Sequence, residues 1–269
     1  RPLIDPSKLP ETKLVTYKAR DGLTIPAFLT VPKTGQKPFP TVVMPHGGPW
    51  ARDENTYDPW RQFLVNRGYV VFQPQYRGSD GWGQTLWRAG DREWGQKMQD
   101  DKDDGALHLV QEGLADRDRM AMFGWSYGGY AALVAMSMFA GTYDAGVAVV
   151  AISNLQTFLR NTAPYRRALR IAEYGDPDRD AEALARLSPV TYLDRVRAPL
   201  LLIQGVNDPR APVGEAIQMH EALAARGAPS QLILFADEGH GAAKRANQVL
   251  QIGHILRFFA TNLTDRPQR

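Results

Sequence analysis

An α/β fold, with a mostly parallel eight-stranded sheet and helices on both faces, is what this sequence predicts. Three observations carry that expectation. Short apolar runs of strand length alternate with helical segments along nearly the whole 269-residue chain. Gly and Pro punctuate the junctions between them. At residues 124–129 the chain reads Gly-Trp-Ser-Tyr-Gly-Gly, with one apolar run before it (120–123) and a longer one after it (130–139). A buried strand, a sharp turn and a buried helix give that pattern. The hydrophobic share of 43% is enough for one large core, so a single domain over residues 12–269 is expected.

The elements follow in order. Residues 12–19 and 23–31 are strand-like and separated by Asp21-Gly22, a hairpin signal. Pro26 and Pro32 place that hairpin at a sheet edge. Residues 33–40 form a polar loop, 41–45 a short buried strand, and 57–67 a helix closed by Gly68. The next strand is 69–74, followed by an irregular loop over 76–83. Asp100, Asp101, Asp103 and Asp104 suggest a metal cluster, but the glycine and ligand spacing of a calcium loop are missing. The sequence reads better as acids at the start of a helix running through Leu109 and Val110, where they complement the dipole. His108 is then structural. Residues 116–119 turn the chain into the strand before Ser126. Further strands are expected at 145–152, 199–204 and 231–235, and helices at 213–226 and near the C-terminus, the latter burying Val249, Ile252, Leu256 and Phe259. Between them, residues 153–193 change character: rich in Arg, Tyr and Pro, they form a helical excursion above the sheet.

Composition excludes several functions. There are no cysteines, which removes disulfides, thiolate catalysis and cysteine zinc sites. The 32 basic and 29 acidic residues leave a net charge of +3 without a basic stripe, so no nucleic-acid partner is expected. No apolar stretch reaches the about 18 residues of a membrane span. No metal or cofactor is implied. The chain is expected to be soluble; whether it is cytoplasmic or periplasmic is left open. Residues 1–11 begin Arg1-Pro2-Leu3-Ile4-Asp5-Pro6 and read as a linker from something longer.

The Gly-x-Ser-x-Gly turn is the nucleophile elbow of an α/β-hydrolase, which lifts a serine hydroxyl to the rim of a sheet. Ser126, Asp208 and His240 occur in the chain order of that fold, each just past the end of a predicted strand. In open α/β sheets that rim is where ligands bind. The roles follow from chemistry. His240 is the base for the weakly nucleophilic Ser126, and Asp208 orients the imidazole. Asp237 and Glu238 are nearer to His240 in sequence, but Asp208 follows the strand where the acid belongs. His46, His220 and His254 read as structural. The backbone N–H of Tyr127 is the first oxyanion donor, and that of Gly48, in the turn His46-Gly47-Gly48-Pro49, the second. Phe158, Tyr165 and Tyr174 are candidate pocket walls, with packing onto the core an equal alternative for each.

With these motifs, together with Tyr76-Arg77-Gly78-Ser79, Asn207-Asp208-Pro209-Arg210 and Glu238-Gly239-His240-Gly241, the chain resembles the catalytic domain of the prolyl oligopeptidase family of serine peptidases. The acylaminoacyl-peptidase and dipeptidyl-peptidase branch is the nearest in pattern. The resemblance covers nearly the whole chain. It implies hydrolysis of short peptides through an acyl-enzyme, and a role for Arg210 in binding a substrate carbonyl, with a surface ion pair as the alternative. It also implies an N-terminal β-propeller in the full-length protein, which this sequence lacks. Homo-oligomerisation is left open. An esterase of the same fold is the second reading, and a non-catalytic binding module, which commonly loses a triad member, the third.

Overall fold

The computed structural model describes residues 4–264 of the chain. Arg1, Pro2 and Leu3 of the expected linker lie outside the described residues. The strands are β1 (Thr12–Lys18), β2 (Thr24–Thr30), β3 (Phe39–Val43), β4 (Val70–Pro74), β5 (Ala115–Trp125), β6 (Ala145–Val149), β7 (Leu200–Gly205) and β8 (Ser230–Phe235). They form one sheet in the order β1-β2-β4-β3-β5-β6-β7-β8. β1 pairs antiparallel with β2, and β2 with β4; the remaining pairings are parallel. The hairpin turns at Gly22, whose φ of 86° suits glycine. It lies at the sheet edge as expected, yet β2 itself is an inner strand. Pro26 is tolerated there because its carbonyl faces Gln75, one residue beyond β4. N–H and C=O of a strand residue face the same side, so the missing donor falls where that ladder ends.

Helices cover both faces. They are α1 (Pro59–Val65), α2 (Gln84–Arg88), α3 (Lys97–Gln111), α4 (Tyr127–Met136), α5 (Leu155–Asn161), α6 (Pro164–Tyr174), α7 (Ala181–Arg186), α8 (Gly214–Ala224) and α9 (Arg245–Phe259). The strands sort their side chains by the two-residue period. Val43, Phe72, Met122 and Leu202 join one core layer with α3, α4 and α8, while Val42, Val71, Phe123 and Ile203 join the other with α1 and α9. Both faces are therefore apolar, which is why these strands read as continuous rather than alternating runs. A third apolar cluster lies beyond the carboxyl ends of the strands. Residues 155–159 of α5 and Leu184 of α7 pack there on Tyr76, Tyr127 and Tyr130. This is the helical excursion, and it roofs one end of the sheet. Among the described residues no helix is long and apolar enough to cross a membrane.

Three local expectations are corrected. The helix at 100–110 begins earlier, at Lys97 after Gly95, so only Asp100 of the acidic run lies in its first turn. Asp101 and Asp103 instead point into the core. Asp101 binds the Arg77 guanidinium at 2.7 and 2.9 Å and the Arg77 N–H at 2.8 Å; Asp103 accepts from Tyr143 and Gln99. Residues 116–119 continue β5 rather than forming a turn. In α9 the buried stripe is Gln251, Ile255, Phe258 and Phe259, while Val249 is exposed, because the face towards the sheet sits one position away from the one read.

Arg77 is bound on its outer side by Asp21 as well, which ties the β1–β2 turn to the loop after β4. Breaking a buried pair by removing one partner typically costs about 3–5 kcal/mol, since the other charge is left desolvated. Asp101→Asn should therefore lower the unfolding free energy by an amount in that range, seen as a lower urea midpoint with an unchanged slope. A loss under about 1 kcal/mol would show that Asp21 alone satisfies Arg77.

Candidate active site

The site begins with a backbone constraint. Ser126 joins β5 to α4 with φ 56° and ψ −116°, a region that side chains other than glycine rarely enter. Holding it there costs about 1–3 kcal/mol, so the surroundings must enforce it. The Ser126 N–H donates to Val149 O on β6 at 2.9 Å. A methyl group on Gly124 would come within 2.4 Å of the Gly128 backbone, and one on Gly128 within 2.3 Å of Pro45 O. The two glycines therefore let strand, helix and the 45–48 loop touch along their backbones. That is the physical meaning of the motif.

Asp208 and His240 stand on neighbouring strand ends. Asp208 follows β7 and His240 follows β8, and the imidazole Nδ1 lies 2.7 Å from Asp208 Oδ2. The Asp208 side chain is fully buried and that of His240 only 17% exposed. Asp208 also accepts from Gln204 Nε2 on its Oδ2 and from the N–H groups of Arg210 and Ala211 on its Oδ1. Burial opposes its ionisation, but the bonds from His240, Ala211 and Arg210 outweigh burial and hold its pKa below the ordinary carboxylate value. An ionised carboxylate here fixes the imidazole with its Nδ1 proton toward the acid. The two loops are locked together: Asn207 N–H donates to Glu238 O, and a methyl on Gly205 would lie 2.1 Å from Gly239 O. Glu238 and Asp237, the rival acids, are engaged elsewhere. Glu238 accepts from the Ala243 and Lys244 N–H groups and from Asn247, and Asp237 binds Lys244 and Asn247. They brace the loop behind His240.

Ser126 and His240 open onto one cavity of ≈ 380 Å³, whose floor includes Tyr127, Gly47 and Gly48. Phe158 and Tyr174 line it, as does Arg210. Tyr165 does not; it stands 78% exposed on α6, which supplies Arg166 and Arg170 to the wall instead. Among the described residues the Arg210 guanidinium makes no ion pair. His46 is buried, its ring stacked on Tyr76 at 4.4 Å and its Nε2 2.7 Å from Ser79 Oγ. Burial depresses its pKa to about 4, which leaves it neutral and structural. His220 binds Ser230 at the amino end of β8, the opposite end of that strand from His240.

Several lining residues carry no readable mark in the sequence. Trp94 lies in a stretch without periodicity. Val150 and Ile152 read as the end of a strand, but β6 stops at Val149 and Val150 adopts φ 46°, which swings the chain up to the cavity. The bend is held by Glu215 of α8, whose buried carboxylate accepts from Ser153 N–H, Asn154 N–H and Thr157 Oγ1. Among the described residues no group of three His, Asp or Glu side chains is placed to hold a metal.

A doubly covered, mostly parallel sheet with a serine elbow and a bonded acid–histidine pair on successive strand ends defines an α/β-hydrolase. Residues 55–266 match the model of the prolyl oligopeptidase family, and the chain belongs to that family. It is 38% identical over 260 residues to the dipeptidyl aminopeptidase BIII of Pseudoxanthomonas mexicana, covering 92% of this chain and 38% of that protein. It is 30% identical over 242 residues to the human acylamino-acid-releasing enzyme, covering 86% and 32%. Among solved structures, a puromycin-hydrolyzing peptidase of Mycobacterium tuberculosis superposes with a TM-score of 0.93 at 28% identity, over 100% of this chain and 42% of that one. The chain thus spans well under half the length of the proteins it resembles.

The elbow packing is directly testable. Gly128→Ala places a methyl on Pro45 O and must push the 45–48 loop away from Ser126. Displacements of about 1 Å at a reacting centre cost on the order of 10²-fold in rate. The variant should lose at least that much turnover; one with more than half the wild-type rate would show that the contact is easily relieved.

Proposed function

We propose that this chain is the catalytic part of a serine peptidase that hydrolyses short peptides through an acyl-enzyme, with Ser126, His240 and Asp208 as its triad. The observation that carries the reading is the strained Ser126 turn facing the same cavity as a histidine already bonded to a buried carboxylate. Ser126 Oγ attacks the scissile carbonyl carbon while its proton passes to His240 Nε2. The carbonyl oxygen takes up negative charge and is met by the N–H groups of Tyr127 and Gly48. The tetrahedral species collapses, the C–N bond breaks, and the leaving amine takes the proton from His240. Water then repeats the sequence in reverse and frees Ser126.

The cavity supports short, largely apolar substrate ends. Val150, Ile152 and Phe158 give it apolar walls, and Arg210 stands at its edge where it can donate to a substrate carbonyl. Relatives named for dipeptide removal and for acylamino-acid release support the same size class. The full-length protein, in this reading, carries an upstream β-propeller that limits substrate length. Relatives more than twice as long as the matched segment are consistent with that. The catalytic domain freed of that segment should then accept longer peptides than the full-length protein does.

Two measurements decide the chemistry. Ser126→Ala should abolish labelling by a fluorophosphonate and lower kcat by about 10⁶-fold, and Asp208→Asn should cost about 10⁴-fold through the wrong imidazole tautomer. Labelling that survives Ser126→Ala would overturn the triad. Peptide amides compared with short-chain esters separate peptidase from esterase: turnover of esters alone by the full-length protein would favour the second.

A further inference from the structure

One buried charge has no part in the chemistry above. Lys102, in the second turn of α3, is completely inaccessible to solvent. Its Nζ donates to Met98 O at 2.6 Å and to Tyr127 Oη at 3.4 Å. It lies 3.6 Å above the centroid of the Tyr76 ring and 5.1 Å from that of Tyr127. Its neighbours on the helix do not pair with it by hydrogen bond: Asp101 is bound to Arg77, and Asp103 to Tyr143 and Gln99. A desolvated cation held mainly by one carbonyl and two aromatic faces is an expensive arrangement, and an apolar side chain of similar volume would fold there at least as well.

The two rings it touches lead to the two oxyanion donors. Tyr127 supplies one donor from its own backbone. Tyr76 donates its hydroxyl to His46 O at 2.7 Å and stacks on the His46 ring, and His46 opens the turn that carries Gly48. The rings themselves lie 5.5 Å apart. The cation therefore sits behind both halves of the place where negative charge develops. We propose that Lys102 is a positioning residue for the reaction: it clamps Tyr76 and Tyr127 behind the oxyanion donors and sets a positive field at the oxyanion. This rests on the triad and oxyanion reading given above. Preoriented charge of that kind acts strongly where water is excluded.

The field is conditional on protonation. Burial lowers the Lys102 pKa to about 7; Asp101, Asp103 and Asp100 favour its charge, and Arg77 opposes it. Of the other titratable groups facing it, Asp103 is raised by burial to about 7 and gains its charge in the same range, so the two form a coupled pair and the Lys102→Met profile is what isolates the lysine. Burial raises the hydroxyls of Tyr76 and Tyr127 well above their ordinary value and keeps His46 neutral. Since the charged form is the one present at lower pH, oxyanion assistance is full below about pH 7 and fades as pH rises through it.

The test is the pH profile of kcat/KM on an N-acylated peptide amide, measured on the full-length protein and on Lys102→Met and Lys102→Arg. The acyl group removes the substrate's own titration. Wild type should decline on the alkaline side of about pH 7. In Lys102→Met the rate near pH 6 should fall about tenfold, below the 10²–10³ that loss of an oxyanion donor itself costs. The fall should lie in kcat rather than KM, and the alkaline decline should vanish. Lys102→Arg should restore the rate and shift the decline upward. A folded Lys102→Met enzyme with the wild-type rate and the wild-type alkaline limb overturns the proposal. If that variant does not fold, a wild-type profile flat from pH 6 to about 9, across the Lys102 pKa, overturns it instead. Fluorophosphonate labelling run in parallel keeps the two readings apart. Loss of the Lys102 effect with Ser126 still labelled removes only this inference, whereas labelling of Ser126→Ala removes the triad.

Discussion

Backbone against backbone at the elbow is the constraint on which the site depends. Three segments meet there without side chains between them: the end of β5, the first turn of α4 and the loop leaving β3. Nothing in that contact is strong by itself. It works because the sheet, packed on both faces, fixes where β5 and β3 end, and the apolar α4 is buried along its whole length. The unfavourable Ser126 backbone is then the only way to close the connection. Burial energy distributed over many residues is concentrated into the posture of one, which is how a domain of modest net stability sustains a strained residue.

The parts of the fold that were legible in the sequence are those set by local rules. Apolar runs such as 199–204 and 145–149 betray strands buried on both faces, and Gly22, Gly68 and Gly227 close turns and helices where a positive φ was needed. The placement of Ser126, Asp208 and His240 past the ends of β5, β7 and β8 is legible for another reason: it is a property of topology, and topology follows from the alternation of elements. His240 is bonded to Asp208, whereas Glu238 accepts from the Ala243 and Lys244 N–H groups.

What escaped the sequence depends on long-range pairing. Asp101 looked like a helix-end acid because nothing near it in sequence announces Arg77, 24 positions away, as its partner. Glu215 gives no sign that it holds the 153–157 bend, nor Val150 that it leaves the strand in a left-handed conformation. Tyr165 and Val249 show a third kind of failure. Each lies on a helix whose apolar residues were recognised, but which face meets the protein is decided by the helix's rotation, and a single position moves a side chain by about 100°. Lys102, the one buried lysine among the described residues, stands within an acidic run, and nothing near it in sequence marks the Tyr76 and Tyr127 rings as its contacts.

The lock between the loops of β7 and β8 has a consequence for how such a site diversifies. Because Asn207, Gly205 and Gly239 join the acid and base loops through backbone contacts, neither loop can be rebuilt without dislodging the other. The excursion between β6 and β7 is attached differently, by side-chain packing and by hydrogen bonds with the side chains of Glu215, Gln218 and Tyr130. Its helices can therefore be exchanged, lengthened or re-lined as a cassette, while the chemistry beneath stays as it is. Phe158, Arg166, Arg170 and Tyr174, which line the cavity, all stand on this one piece of chain, so that wall can be rewritten without touching the elbow or the two locked loops.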